Sequence, residues 1–282
     1  MKFASFSKDG KASYGAVTKD GIVDLGRRLN HADLKAVIAA GAIDEARKAA
    51  DGQAADMPVE SVTLLPPIPN PSKIICIGLN YHDHRKETGR TEETANPTLF
   101  TRFADTQIGH GQAMILPMAS EQLDFEGELA LVIGKEARHV SQANALSHIA
   151  GYTCFNDGSV RDWQFHTTQF VPGKNFPATG GCGPWMVTAD EVPDPSKLTL
   201  TTRLNGKQVQ HSPTDMLIFP IPRLIEYIST FTTLRPGDLI VTGTPGGVGA
   251  KRTPPLWMKA GDKVEVEITG VGTLVNTIAA ER

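Results

Sequence analysis

Apolar and polar positions alternate in short runs over residues 2–25, as KFASFS, ASYGAVT and GIVDL, and two Lys-Asp-Gly triplets interrupt them. A period of two predicts strands, and Gly supplies the positive φ of a tight turn, so this stretch reads as a small meander. The period then lengthens. Leu34, Val37 and Ile38 fall on one helical face that Asn30 can cap and Gly41 can stop, and a second helix is expected over residues 43–50. The run PPIPNP at 66–71 cannot continue a helix and reads as a semi-rigid connection, dividing the chain into a small N-terminal domain, 1–70, and a larger one, 71–282.

Beyond it, residues 73–77 form a near-continuous apolar run, the mark of a strand buried on both faces. Residues 80–87 are polar, lack β-branched side chains and stop at Gly89, which suits a short helix. A strand is expected over 121–133, a helix over 141–150 and a buried strand over 151–155. Asn205-Gly206 signals a hairpin within 198–210. Pro222 suits the first helical position ahead of Leu224, Ile225, Ile228 and Phe231, one apolar face, and strands return at 238–242 and 264–268.

Composition adds that 40% of the 282 residues are hydrophobic and 21% charged, enough for one large core or a large and a small one. With 27 Gly, 19 Pro and only 6% aromatics, the fold class is α+β, rich in β. A net charge of −3 without any basic run offers no footprint for nucleic acid. No apolar stretch approaches the roughly 20 residues of a membrane span, and residues 1–9 lack a secretory core, so a cytoplasmic protein is expected. Cys76, Cys154 and Cys182 show no CxxC spacing and read as buried free thiols.

The candidate chemistry begins at Asp124-Phe-Glu126-Gly-Glu128. In a strand, Asp124, Glu126 and Glu128 share a face with about 7 Å between successive carboxylates. Like charges in a partly buried place call for protons or a cation, and oxygen donors suit Mg²⁺, Mn²⁺ or Ca²⁺; the alternative is a solvated acidic face. Asp157 stands at a strand mouth, either as a third ligand or as a turn cap before Gly158. His84 and Glu87, at helical spacing i and i+3, suit a base and its orienting carboxylate, or a solvated helix face. Lys174 lies in a Gly- and Pro-rich loop, free to reach an anion or simply solvated. The glycine-rich stretch 243–249 lacks the lysine of a phosphate loop, but its amides and the Thr244 hydroxyl suit a carboxylate.

Six ordered motifs then coincide: IGLNYHDHRKE at 77–87, DFEGELALVIGK at 124–135, GYTCFND at 151–157, RDWQ at 161–164, GK at 173–174 and GTPGGVG at 243–249. In this order and spacing the chain resembles the fumarylacetoacetate hydrolase family over residues 72–279. The resemblance implies a mixed β-roll catalytic domain with a small N-terminal α+β accessory domain, usually homodimeric, holding Mg²⁺ or Mn²⁺ through Glu126, Glu128 and Asp157. It implies His84 and Glu87 as a catalytic dyad on a segment that orders over substrate, Lys174 as an electrophilic partner, and Thr244 as a carboxylate anchor. Arg161, Gln164, Tyr81 and Gly243 are its further candidates for substrate contact. Two departures stand out. Pro177 replaces an acidic residue common in relatives, and Phe100-Thr-Arg102 stands where a lysine is frequent, with His110 nearby.

The activity expected from this resemblance is that of a metal-dependent hydrolase cleaving a carbon-carbon bond in a 2,4-dioxo acid of acylpyruvate or fumarylpyruvate type, as in aromatic catabolism. The bond cleavage would expel a pyruvate enolate whose oxygen rests on the metal. The same site suits an oxaloacetate decarboxylase or a 2-hydroxymuconate-type isomerase. A reading of another class is a non-catalytic, metal-stabilised binding protein, against which a paired base argues.

Overall fold

The computed structural model describes residues 1–90 and 94–282, and its central strand, Gly127–Ile133, is buried along its whole length. Alternation decides what covers each face. Leu129, Leu131 and Ile133 point into a core shared with Leu200, Val266, Ile268 and Leu274, together with Leu224, Ile225 and Ile228 of the helix Ile221–Phe231. Ala130 and Val132 point the other way, into a core with Phe3, Tyr14, Leu34, Val37 and Ile38. The N-terminal segment and the second sheet thus sandwich this strand, and each face removes apolar area from water.

The main sheet runs in the order Gly21–Asp24, Lys11–Thr18, Lys2–Lys8, Gly180–Thr188, Ile149–Asp157, Gly127–Ile133, Leu239–Val241, Ile74–Gly78, Thr98–Arg102. Its pairs are antiparallel along this path except Leu239–Val241 with Ile74–Gly78. The N-terminal meander joins it by pairing Lys2 with Val187 and Phe3 with Met186. A second sheet carries Lys207–Pro213, Thr199–Leu204, Lys263–Ile268, Gly272–Ala280 and Ala113–Leu116. The sheet-rich α+β class is the one the sequence predicts, and the hairpin at Asn205-Gly206, both with positive φ, lies where the pattern puts it. Cys76, Cys154 and Cys182 are free and buried, one on each of three strands of the main sheet. Among the described residues, no helix is long and apolar enough to cross a membrane.

Several local expectations shift. The first helix is Leu34–Ala39, capped by Asp33, whose Oδ1 accepts the Ala36 amide at 2.7 Å; Asn30 lies too far upstream to reach that orphan donor. Pro222 takes the second helical position rather than the first, after Pro220 and Ile221, and Phe231 is 58% exposed at the frayed end of the apolar face. The helix foreseen at 141–150 is two short turns, Gln142–Ala145 and Leu146–His148, because the chain enters the sheet at Ile149. Finally, 121–133 is not one strand. Leu123–Asp124 pairs with Ser159–Val160, and the run resumes at Gly127. Between them the Asn156 side chain accepts the Glu126 amide at 2.9 Å, diverting the backbone from the sheet ladder. Gly127 has no room for a side chain, since a Cβ there would meet the Thr202 hydroxyl.

Candidate active site

Antiparallel pairing sets Gly127 opposite Asn156 and Glu128 opposite Phe155, so the carboxylates of Glu126, Glu128 and Asp157 converge at one end of the sheet. An oxygen from each lies within 4.8 Å of the others, and all three residues are buried. The Glu126 carbonyl accepts the Asp157 amide at 2.8 Å, which locks the two backbones together. Asp124 does not join them. The strand break turns its oxygens toward Arg161 Nε at 2.8 Å and the amides of Gly249 and Ala250 at 2.8 and 2.9 Å, so the evenly spaced row of three carboxylates expected from an unbroken strand is replaced by Glu126, Glu128 and Asp157.

Three cations answer this charge unevenly. Lys174 Nζ donates to Glu126 Oε2 at 2.7 Å and Asp157 Oδ2 at 2.6 Å. Arg161 Nη2 lies 2.7 Å from Glu126 Oε1, and its Nη1 donates to Gln164 Oε1 at 2.9 Å. Arg102 takes the other oxygen of Asp157 at 2.7 Å and also reaches the Gly158 carbonyl and the Thr179 hydroxyl. Burial acts to raise Glu126, but Arg161 and Lys174 outweigh it and hold the carboxyl at about 2. Burial likewise acts to lower Lys174, and Asp157 and Glu126 override it, so the ammonium is kept above its ordinary value. Glu128 has no such partner. The Gly243 amide donates to it, yet burial, then Asp157 and Glu126, push its carboxyl well above the ordinary range. Four carboxylates face three cations, and the unanswered negative charge sits on Glu128. A buried carboxylate without a cation among like charges is costly, and an all-oxygen donor set suits a hard divalent ion. The residues therefore fit Mg²⁺ or Mn²⁺.

On the facing wall, the helix His82–Glu87 brings His84 and Glu87 one turn apart. His84 Nδ1 meets Glu87 Oε1 at 2.6 Å, and Glu87 Oε2 accepts the Gly247 amide at 2.8 Å. With Nδ1 donating to the carboxylate, Nε2 is left as the basic nitrogen. The dyad is thus pinned to the glycine-rich loop. Gly249 in that loop must lack a side chain, because a Cβ would overlap the Leu256 carbonyl. One cleft is lined by His84, Glu126, Glu128, Arg161, Gln164, Lys174 and Thr244, bringing together most of the residues singled out in the sequence.

Two others stand apart from the wall. Tyr81 is fully buried in the core behind the site, beside Ile77 and Leu217, and its hydroxyl has no hydrogen-bond partner among the described residues. Gly243 contributes its amide to Glu128. Thr244 lines the cleft, but its hydroxyl donates to the Gly127 carbonyl at 2.9 Å and accepts from Gln210 Nε2 at 2.8 Å. Gln210, which no sequence motif marks, also accepts the Gly127 amide at 3.0 Å and so ties the second sheet to the site. His110 lies elsewhere, its Nδ1 accepting the Val275 amide at 3.2 Å and its imidazole kept neutral-leaning by burial.

Residues 73–279 match the family model described as fumarylacetoacetate (FAA) hydrolase, C-terminal. A mitochondrial oxaloacetate tautomerase of Rattus norvegicus is 40% identical over 238 residues, covering 84% of this chain and 76% of the relative. Among solved structures, the fumarylacetoacetate hydrolase of psychrophilic Exiguobacterium antarcticum superposes with a TM-score of 0.85 at 33% identity, covering 100% of both chains. A maleylpyruvate hydrolase from Sphingobium sp. SYK-6, determined with manganese(II) and pyruvate, gives 0.84 at 29% identity, again over 100% of both chains. With the six motifs gathered around one cleft and the match spanning most of the sequence, the chain is an enzyme of the fumarylacetoacetate hydrolase family.

Proposed function

We infer that this enzyme acts on a 2-oxo acid through its enol or enolate, with a divalent cation held by Glu126, Glu128 and Asp157, and that the favoured reaction is the interconversion of enol and keto forms of a 2-oxo dicarboxylate such as oxaloacetate. The observation that carries the reading is the His84–Glu87 pair at 2.6 Å on the same cleft as the carboxylate cluster. Mg²⁺ or Mn²⁺ would supply Lewis acidity toward the keto and carboxylate oxygens of the substrate. His84 Nε2 takes the proton from the carbon next to the keto group and hands it to the keto oxygen to give the enol, and the reverse transfer regenerates the ketone. Glu87 holds the imidazole in the tautomer that leaves Nε2 basic and stabilises its protonated form. Lys174 places an ammonium near the oxygen on which charge develops. Arg161 and Gln164, bound to each other, border the space where the substrate carboxylate is held. The Thr244 hydroxyl proton is engaged by Gly127, so Thr244 acts by shaping the loop.

A second reading, hydrolysis of a 2,4-dioxo acid, draws on the maleylpyruvate hydrolase neighbour with its bound pyruvate. There His84 would take its proton from water, and the hydroxide would attack the distal carbonyl. The first reading is supported by the 40% identity to a tautomerase. The deciding experiment compares kcat/KM for oxaloacetate tautomerisation, followed by ultraviolet absorbance, with that for pyruvate release from acetylpyruvate and fumarylpyruvate, each with Mg²⁺ and with chelator. Tautomerisation is expected to be faster and to vanish with chelator. A tenfold advantage for pyruvate release, about 1.4 kcal/mol of transition-state binding, would install the hydrolase reading instead, and full turnover in chelator would remove the cation. The proposal includes a cytoplasmic homodimer, for which light scattering and fractionation are the checks.

A further inference from the structure

The cations of this cleft fall into two groups. Arg161 and Lys174 lie deep and are answered by Asp124, Glu126 and Asp157. Lys251 and Arg90 line the same cleft nearer solvent, and both are exposed. Among the described residues, Lys251 takes part in no ion pair or side-chain hydrogen bond, and Glu126 and Glu128 are the only acidic residues on the cleft wall. The wall also carries the rings of Phe100, Phe165 and Phe170.

The backbone beneath Lys251 is held firmly. Asp124 accepts the amides of Gly249 and Ala250, and Arg161 grips the same carboxylate at 2.8 Å while reaching Glu126. Arg252 then fastens the loop through the carbonyls of Gly247 and Val209. A continuous chain of contacts, from Glu126 through Arg161 and Asp124 to Ala250, therefore fixes where the lysine stem leaves the wall. An ammonium on a fixed root, paired with no carboxylate among the described residues and open to solvent, is a receptor for an anion that arrives with the substrate.

We propose that Lys251, assisted by Arg90, binds the second carboxylate of a dianionic 2-oxo acid and so selects diacids over neutral acyl analogues. The subsite rests on the proposed 2-oxo acid chemistry for the first carboxylate and assigns the far end of the same substrate.

The test uses two matched pairs with the Mg²⁺-loaded protein: oxaloacetate and its 4-monomethyl ester for turnover, and 2-oxoglutarate and its 5-monomethyl ester for calorimetric binding. The wild type is expected to favour each diacid over its ester by about tenfold, the scale of one charge-assisted hydrogen bond. Lys251→Met is expected to bring that ratio close to one, Lys251→Glu to invert it and Lys251→Arg to keep it. Raising salt should erode the ratio in the wild type and leave it flat in Lys251→Met. A ratio in Lys251→Met within twofold of the wild type, or a wild type that binds diacid and ester alike, would overturn the subsite. Should the wild type prefer 2-oxoglutarate over its ester yet turn over no 2-oxo acid, the functional reading fails while the subsite stands.

Discussion

His84→Ala is expected to lower kcat by roughly 10²- to 10⁴-fold, the usual contribution of a positioned general base, while the affinity for Mg²⁺ stays near that of the wild type. The imidazole touches Glu87 and faces the cleft, but it is not one of the three converging carboxylates, so its loss removes a proton carrier and leaves the cation's donors in place. Among the described residues no other histidine lines the cleft. His110 is tied to the Val275 amide outside the cleft, and His166 is exposed against the Trp163 ring. Steady-state kinetics with calorimetric Mg²⁺ titration of the same preparation separates the two effects. An unaltered kcat would remove His84 from the mechanism and favour loss of carbon dioxide from oxaloacetate, a step that needs no proton abstracted.

Glu128→Gln is expected to act in opposite directions on function and on the stability of the metal-free chain. Removing an oxygen ligand should weaken Mg²⁺ by more than about 100-fold, since even the outer partners of metal ligands are worth 10- to 100-fold, and activity should fall with it. Yet the metal-free variant should melt higher than the metal-free wild type, because the amide no longer places an unanswered charge beside Asp157 and Glu126. The pH dependence has a definite sign. Burial, then those two carboxylates, raise Glu128 above its ordinary 4.5, so the folded state holds a proton that the unfolded chain releases. That contribution is present below about pH 4.5 and is lost as pH rises through the elevated folded value. Metal-free wild type should therefore lose Tm as pH is raised above this range, and Glu128→Gln should flatten that slope. Scanning calorimetry in chelator across pH reads both, and a Tm for the variant below the wild type at neutral pH would contradict the assignment of the excess charge.

Much of this site is legible in the sequence because its parts are local. The i and i+3 spacing of His84 and Glu87 needs only one helical turn, and the apolar run of 73–77 announces a strand buried on both faces. Asp157 after a buried strand is visible in the same way. What is not legible depends on partners far along the chain. The break after Asp124 is made by Asn156, thirty residues beyond Glu126, and it converts a row of three carboxylates into two ligands and a loop anchor. Lys174 looks like a free loop lysine until the fold sets it between Glu126 and Asp157. Gln210 sits in a hairpin whose alternation signals only a strand, and the pairing of Lys2–Lys8 with Gly180–Thr188 joins segments that share no local pattern. Each is a register or a side-chain bond across sheets, which periodicity along one segment does not encode.

The three thiols carry a practical corollary. Cys76, Cys154 and Cys182 sit on three strands of one sheet, and burial raises all three, Cys154 to about 12 and Cys76 well above its ordinary value, with Asp157 and Glu128 adding to it. Thiol reagents need both thiolate and access, so the intact molecule should ignore them and react only while a strand is momentarily released. Mass spectrometry after timed alkylation would then give three opening rates from one unlabelled sample. The slowing of the Cys76 rate when Mg²⁺ is added would register, strand by strand, how far the cation's grip extends into the sheet.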